Sequence, residues 1–269
     1  MQSSNIYYIN SIARTSGTPG NFTFEVQIPN AENYDRVTLL QANIPVSYYL
    51  VPQSYNTFQL VENNGVSTTT TTITVFPGNY TANSFISVVA PLINTASPNG
   101  WIYSITIPNL FSFTNTGKFT FTVTNNLGHQ PSFVLNNMWE MFGFEQNSTN
   151  TFVSNILTSK NVIKMIPEDS IMIHSDICDN GENSILQEVF GNNSVAFSNI
   201  LYQCPDVLSY SRRLRTNQSS SYTFSLTDEH NRPVDLNGVN IIFTIVLFKK
   251  DNFTTVFKNY LKMQLSDQQ

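Results

Sequence analysis

The stretch VNIIFTIVLF, residues 239–248, decides the fold, because it places apolar side chains at both odd and even positions. Successive residues of a strand point to opposite faces of a sheet, so a strand of this composition is apolar on both sides. The dipeptide Asn237-Gly238 directly before it is a strong tight-turn signal. We therefore expect a central strand of a buried sheet, entered through a tight turn.

Short strands with a two-residue period surround this stretch along the chain. In FTFEVQI, residues 22–28, Phe22, Phe24, Val26 and Ile28 share one face, and polar residues occupy the other. The same pattern predicts strands at residues 5–13, 36–44, 57–62, 68–76, 101–107, 118–124, 161–166, 170–178, 200–204 and 222–227. About a dozen strands without a repeat of 20–50 residues favour an all-β sandwich or jelly roll.

Two short helices interrupt the strands. Thr81 or Asn83 can cap the first, in which Phe85, Val88, Val89, Leu92 and Ile93 form an apolar stripe at helical spacing. Pro91 lies inside that stripe and removes one backbone donor, so this helix is expected to be kinked or short. The second is expected over residues 136–144, with Gly143 at its end.

Charged residues are rare in this chain, which indicates a protein that functions as part of a larger assembly. Only 12% of the residues are Asp, Glu, Lys or Arg, about half the roughly 25% usual for a soluble domain. The mean hydropathy of -0.14 and the lack of an apolar run of about 18 residues argue against membrane insertion. The net charge of -5 argues against a general nucleic-acid binder, so no specific nucleic-acid partner is expected.

The two cysteines and the N-terminus suggest where the chain is made. Cys178 and Cys204 are too few for a disulfide framework, and both lie beside apolar or aromatic residues, as reduced core cysteines do; a single bridge between them is the alternative. The first residues, MQSSNIYYINSIARTSG, lack a cationic start followed by an apolar stretch. We expect no signal peptide and a cytoplasmic site of synthesis.

No arrangement of reactive side chains predicts an enzyme. His174 and Asp176 share one face of a strand while Ser175 points to the other, so the segment cannot form a Ser-His-Asp relay. The run after Asp176 resembles a calcium loop, but Cys178 and Gln187 occupy two ligand positions. There is no phosphate-binding loop, zinc spacing or nucleophile elbow. We expect no catalytic residue, no cofactor and no metal.

Three groups of side chains are candidate partner contacts. The arginines Arg212, Arg213 and Arg215 either bind phosphate or an acidic patch, or are a solvated rim. The aromatic residues around the loop-like Pro108-Asn109 form either an exposed contact tip or part of the core; they are Trp101, Tyr103, Phe111 and Phe113. A terminal segment is usually disordered unless it docks, which makes its aromatic residues candidates too; they are Phe253, Phe257 and Tyr260.

A series of phrases is distributed along nearly the whole chain, apart from the tail. They are LLQANIPVSYYLV (residues 39–51), the strand beginning at Asn56-Thr57-Phe58, VFPGNYTANSFISVV (75–89), TGKFTFTVTNN (116–126), MFGFEQNST (141–149), IMIHSDIC (171–178), ILQEVF (185–190), YQCPDVLSYS (202–211) and YTFSLTDEHNRPVDLNG (222–238). In their order and spacing these phrases resemble the penton, or minor capsid, proteins of virophages and related polinton-like double-stranded DNA viruses.

The resemblance implies a homopentamer that fills the five-fold vertex of an icosahedral virion, beside a double jelly-roll major capsid protein. The subunit would be a single jelly roll with a long inserted, outward-projecting β-rich domain that carries the two helices. No catalytic residue is carried over. An alternative function is a jelly-roll carbohydrate-binding or receptor-attachment protein, with a host glycan or receptor as partner; a glycan hydrolase ranks third.

The predicted strands can be assigned to the jelly roll. Residues 1–50 supply strands B, C and D, and residues 159–250 supply strands E to I, with E at 161–166 and F at 170–178. Residues 51–158 form the inserted domain, and residues 251–269 are a tail that docks on a partner or is disordered.

Overall fold

The computed structural model describes residues 4–28, 34–108, 116–166, 170–179, 184–191, 197–215 and 220–250. The helices are α1 (Ala82–Ala96) and α2 (Trp139–Phe142). In chain order the strands are β1 (Ser4–Asn10), β2 (Ser16–Thr18), β3 (Asn21–Glu25), β4 (Arg36–Pro45), β5 (Thr57–Asn63), β6 (Thr68–Thr74), β7 (Ile102–Thr106), β8 (Thr120–Thr124), β9 (Ser132–Leu135), β10 (Ser148–Thr151), β11 (Ile156–Thr158), β12 (Ser170–Ser175), β13 (Ile185–Phe190), β14 (Asn199–Gln203), β15 (Arg212–Arg213), β16 (Ser221–Thr227) and β17 (Ile242–Phe248).

The chain divides into two compact units. The first contains Met1–Tyr48 and Glu168–Gln269, and the second contains Tyr49–Pro167. The first unit has two antiparallel sheets, with strand orders β1-β17-β4-β14 and β13-β12-β16-β3-β2; the short β15 also pairs with β4. The predicted fold class, an all-β jelly-roll-like sandwich with a long β-rich insertion, is confirmed.

The strand order follows the jelly-roll scheme, in which strands B to I form the sheets B-I-D-G and C-H-E-F. Here β1, β17, β4 and β14 occupy the positions of B, I, D and G, and β3, β16, β12 and β13 those of C, H, E and F. The predicted central strand is β17, which lies between β1 and β4. It begins at Ile242 instead of residue 239, because Val239 closes the preceding turn on Leu236.

Three aromatic rings join the two sheets of the first unit. Phe243 of β17 lies 5.1 Å from Phe224 and 6.4 Å from Phe22, both on the second sheet, between ring centroids. Phe22 and Phe224 are themselves 5.7 Å apart. All three side chains are buried, as is expected where the inner faces of a sandwich interdigitate. The core of this unit is therefore built on the inward-pointing residues of β17, β3 and β16.

The predicted assignment of strands E and F is wrong. Residues 161–166 form no strand, because their backbone donors bond to loop and helix carbonyls: Asn161 to Gly143, Ile163 to Gly117 and Lys164 to Glu140. They lie in the second unit. The segment predicted as F is β12, at the position of E. The position of F is taken by β13, residues that the strand pattern does not single out.

The second unit forms sheets of its own around an aromatic core. The strand orders are β10-β9-β5-β6 and β11-β8-β7. Helix α1 is capped by Thr81, whose side chain accepts from the Ser84 N–H while Ser84 accepts from the Thr81 N–H. Its buried face is Phe85, Val89 and Ile93. The fifteen-residue helix runs through Pro91, so it is not short.

Gly143 ends α2 in the left-handed conformation, with φ of 71°. A Cβ atom there would lie 2.5 Å from the carbonyl oxygen of Asn161. We expect Gly143→Ala to lower the free energy of unfolding by roughly 2–3 kcal/mol, since it combines backbone strain with a clash. Gly128→Ala is the control, because Gly128 also has a positive φ but nothing within 4 Å of the added atom. Equal losses in the two variants, measured by urea denaturation, would show that the clash contributes nothing.

Candidate interaction surfaces

The outer face of the first sheet, the face turned away from the sandwich core, exposes four large apolar side chains. Ile6 and Tyr8 of β1 are 52% and 74% exposed, Leu201 of β14 is 76% exposed and Ile242 of β17 is 49% exposed. The register places Asn10, Ile242, Asn43 and Leu201 in one row across the sheet. A groove of about 430 Å³ on this face is lined by Leu201, Ile242 and the amides of Gln41, Asn43 and Gln203. The surface offers apolar contact and uncharged hydrogen-bonding groups.

These residues are not among the predicted contacts, although the sequence of β1 contains a signal for them. In NIYYIN, residues 5–10, Tyr7 and Ile9 point to the core while Ile6 and Tyr8 share the opposite face. A strand with apolar side chains on both faces is ordinarily central. Among the described residues β1 lies at the edge of the sheet, and its second apolar face is exposed.

The predicted arginine cluster belongs to a larger basic surface. The pairing of β15 with β4 brings Arg212 opposite Val37 and Arg213 opposite Arg36, and β17 brings Phe248 to the other side of Arg36. We call the resulting surface the basic end. Its cations are Arg36, Arg212, Arg213, Arg215, Lys249 and Lys250, and all except the half-buried Arg36 are exposed. Three separate stretches of sequence contribute to it.

The carboxylates near the basic end neutralise only part of its positive charge. Asp179 forms an ion pair of 3.6 Å with Arg213, and the backbone N–H of Lys250 donates to Asp35 over 2.7 Å. Hydrogen bonds from Ser209 and Leu208, with a smaller effect of Lys250, lower the pKa of Asp206. The buried Nε of Arg36 has no hydrogen-bond partner among the described residues. This surface is suited to an anionic partner.

The prediction of an exposed aromatic tip is wrong for Trp101 and Tyr103, which are 4% and 2% exposed. Their side chains pack in the core of the second unit, where Tyr103 lies 6.0 Å from Phe152 between ring centroids. The backbone N–H of Trp101 donates to Ser97 Oγ, and its ring stacks on His129 at 6.3 Å. Trp101, Tyr103 and Ile105 alternate with exposed residues, so the three side chains form the inward face of this segment. An aromatic glycan platform therefore cannot include Trp101.

A buried carboxylate holds this part of the core together. Glu62 is fully buried, and its Oε1 accepts from Ser97 Oγ over 2.7 Å and from the Tyr103 hydroxyl over 2.8 Å. Its Oε2 accepts from the backbone N–H and the side-chain amide of Asn99, over 3.1 and 2.9 Å. Four donors replace the water that the carboxylate loses on burial. The hydrogen bonds of Glu62 therefore connect β5 to the residues that follow α1 and to β7.

Tyr103 gives the stability of the second unit a dependence on alkaline pH. Burial, followed by its hydrogen bond to Glu62 and the charge of Glu62, raises the pKa of Tyr103 above its usual value of 10.0. Above pH 10 the unfolded chain loses the phenol proton while the folded chain keeps it, so this stabilisation is present below pH 10 and declines as the pH rises. Between pH 9 and pH 11 we expect wild type to lose about 1.4 kcal/mol more than Tyr103→Phe, because the full slope of about 1.4 kcal/mol per pH unit applies only above pH 10. Urea unfolding at pH 9 and pH 11, followed by tryptophan fluorescence, measures this; parallel declines would contradict it.

The remaining candidate residues are either structural or outside the described range. Phe111 and Phe113 and the tail residues Phe253, Phe257 and Tyr260 lie outside the described residues. His174 Nε2 lies 2.8 Å from Thr227 Oγ1, and Asp176 accepts from the Thr223 N–H over 2.8 Å.

Both cysteines are free thiols. Burial, partly offset by Arg212 and reinforced by Asp176, raises the pKa of Cys178 to about 12. Its thiol is therefore protonated at neutral pH, and a protonated thiol is a poor nucleophile. Among the described residues, no helix combines the length and apolar character that a bilayer span requires.

Comparisons with known proteins find structural similarities only. No family model and no curated protein sequence matches the chain. Among solved structures it is similar to the penton protein of mavirus, with 12% identity and a TM-score of 0.45, over 91% of this chain and 99% of that one. It is also similar to the D2-D3 domains of the flagellar cap protein FliD from Escherichia coli, with 12% identity and a TM-score of 0.22, over 85% and 100%. TM-scores below 0.5 do not establish a shared function.

Proposed function

We propose that this chain is a penton, the vertex protein of the icosahedral capsid of a double-stranded DNA virus or virophage, and that it assembles as a homopentamer. The observation that carries the proposal is the B-I-D-G and C-H-E-F strand order of the first unit, an architecture common in viral capsid subunits. The series of penton-like phrases along the sequence supports the same function. Five identical subunits in a ring need no cofactor, only two complementary surfaces on each subunit.

The surface chemistry supports permanent contact with neighbours. The first sheet exposes Ile6, Tyr8 and Leu201 on one face, and the whole chain has few charges to repel another copy. Exposed apolar patches of this kind mark interaction sites in soluble proteins. We propose that this sheet lies in a contact between subunits inside the virion.

We propose that the basic end contacts an acidic surface of the neighbouring double jelly-roll major capsid protein. Among the described residues, its six cations exceed the four nearby carboxylates of Asp35, Asp176, Asp179 and Asp206, although the chain carries a net charge of -5. The excess favours an anionic partner over a second copy of the same surface. Replacing both Arg212 and Arg213 by Glu should then reduce binding to that protein without changing self-assembly.

Measurement of the oligomeric mass tests the proposal. The subunit has a mass of 30.3 kDa, so a pentamer has a mass of about 150 kDa. We expect native mass spectrometry and sedimentation of the full chain to show that species, and negative-stain images to show five-fold rings. Each subunit contact should bury more than about 1,000 Å² in total. A chain that stays monomeric at about 100 µM would contradict self-assembly into a vertex.

A further inference from the structure

The first sheet ends in two edge strands that lack the features that normally prevent edge pairing. Proteins protect exposed edges with charged residues, proline, very short strands or bulges. The sequences of β1, SNIYYIN, and β14, NILYQ, contain no charged residue and no proline. The second sheet differs, since its edge strand β13 carries Glu188 and β2 has only three residues. Among the described residues, no strand pairs with the outer side of β1 or β14.

The backbone groups of both edges point away from the sheet at known residues. The N–H of Cys204 donates to Leu40 and the N–H of Val46 donates to Ser198, so the even residues of β14 face β4. The N–H and C=O groups of Asn199, Leu201 and Gln203 therefore point outward. On the other side of the sheet, the N–H of Ser11 donates to Ile241, so the odd residues of β1 face β17. The N–H and C=O groups of residues 4, 6, 8 and 10 point outward.

On both edges, the residues whose backbone groups point outward have their side chains on the same face of the sheet. On β14 the residues with outward backbone groups include Leu201, whose side chain lies on the outer face of the sheet. On β1 they include Ile6 and Tyr8, whose side chains lie on the same outer face. Hydrogen-bonded residues in an antiparallel pair project to one face. Pairing β14 with β1 of another copy therefore continues the outer face and brings Leu201 beside Ile6 or Tyr8.

The strand directions allow this pairing between copies that have the same orientation. Each neighbouring pair in the order β1-β17-β4-β14 is antiparallel. With four strands of alternating direction, β14 runs opposite to β1. A second copy rotated about an axis roughly along the strands then presents its β1 antiparallel to β14 of the first. Head-to-tail contact of two different surfaces is what a closed ring requires.

We propose that β14 of one subunit pairs with β1 of the next, so that the first sheets of neighbouring copies become continuous around the ring. This inference rests on the proposed homopentamer and specifies the interface between its subunits. We call this pairing of β14 with β1 the joint. Backbone hydrogen bonds supply part of the affinity, as in other cases of strand addition. Tyr8 and Ile6 of the incoming strand lie beside Leu201 across the new strand pair, and this contact removes part of the exposed apolar surface of the three side chains from water.

Two variants of the full chain test the joint separately from the ring. Tyr8→Lys alters the β1 edge and Leu201→Lys alters the β14 edge, both at exposed positions where the fold should tolerate lysine. Each variant alone should weaken association by roughly 100-fold, because lysine removes the apolar contact across the joint and a charged side chain on an edge strand opposes pairing. Leu127→Lys is the control, since Leu127 is 93% exposed and lies on neither edge. It should assemble as wild type does, and circular dichroism should show all three variants folded.

Mixing the two variants distinguishes a head-to-tail joint from a two-fold one. The intact β14 edge of Tyr8→Lys can pair with the intact β1 edge of Leu201→Lys, but the dimer cannot extend. An equimolar mixture should therefore give a heterodimer of about 60 kDa, twice the 30.3 kDa subunit, and no ring. Rings that persist in both single variants, a mixture that stays monomeric, or a stable homodimer of either variant would overturn the joint. If wild type itself forms no ring, the proposed penton function fails instead.

Discussion

Phe243→Ala should lower the free energy of unfolding of the first unit by about 3–5 kcal/mol. The Phe243 ring lies between the two sheets, 5.1 Å from Phe224 and 6.4 Å from Phe22, and the side chain is 1% exposed. Its removal leaves a cavity that neighbouring rings on rigid strands can only partly fill. The loss would be comparable to the whole stability of a marginal domain. We therefore expect the variant to be largely unfolded well below the transition temperature of wild type.

The buried thiol of Cys178 provides a probe of the first unit for this experiment. Cys178 is 3% exposed, so in a Cys204→Ser background a thiol reagent reports its exposure when the first unit opens. Phe190→Ala is the matched control, because Phe190 lies in the same unit but is 63% exposed. It should cost less than about 0.5 kcal/mol. Phe243→Leu should recover most of the loss. If thiol exposure follows the same denaturant curve in Phe243→Ala and Phe190→Ala, the ring is not the contact between the sheets.

The central position of β17 was predictable from sequence because burial on both faces leaves a local signal. The identity of strand F was not. Opposite β13 the register shifts between Ile173 and His174, which makes Leu186 the extra residue of a bulge. Leu186 and Gln187 are consecutive and both buried, so the two-residue alternation is broken where the strand would have been recognised. Residues 161–166 show the opposite case: their sequence alternates, but they form no strand because no neighbouring strand among the described residues pairs with their backbone.

The candidate surfaces depend on pairings between distant parts of the chain, which composition does not encode. Arg36 and Arg213 become neighbours only through the register of β15 on β4, across about 180 residues of sequence. Ile6 and Leu201 lie on the same outer face because four strands separated in sequence form one sheet. The periodicity specifies which face a side chain takes within its strand. It does not specify whether another part of the chain covers that face, and this covering decides whether apolar side chains on the face are exposed.

Glu62→Gln should lower the free energy of unfolding of the second unit by about 3 kcal/mol. The carboxylate accepts four hydrogen bonds, two on each oxygen, and the side chain is 0% exposed. Glutamine keeps the shape but replaces one oxygen with an amide that can only donate. With its oxygen turned to Asn99, the amide can donate to the hydroxyl oxygens of Ser97 and Tyr103, but the two hydroxyl hydrogens then lose their acceptor. Turned the other way, the amide group faces the two donors of Asn99, which lose theirs. A buried donor without an acceptor costs about 1–3 kcal/mol.

Both tryptophans, Trp101 and Trp139, lie in the second unit, so their fluorescence during urea denaturation reports its unfolding. Glu145→Gln is the control, because Glu145 is 61% exposed in an ion pair with Lys160 and should contribute less than about 1 kcal/mol. Tyr103→Phe removes one of the four donors and should cost about 1 kcal/mol, less than the reversed amide. Equal midpoints for Glu62→Gln and Glu145→Gln would mean that the four donors find water or other acceptors. In that case the carboxylate would not be what positions Trp101 and Tyr103 in the core.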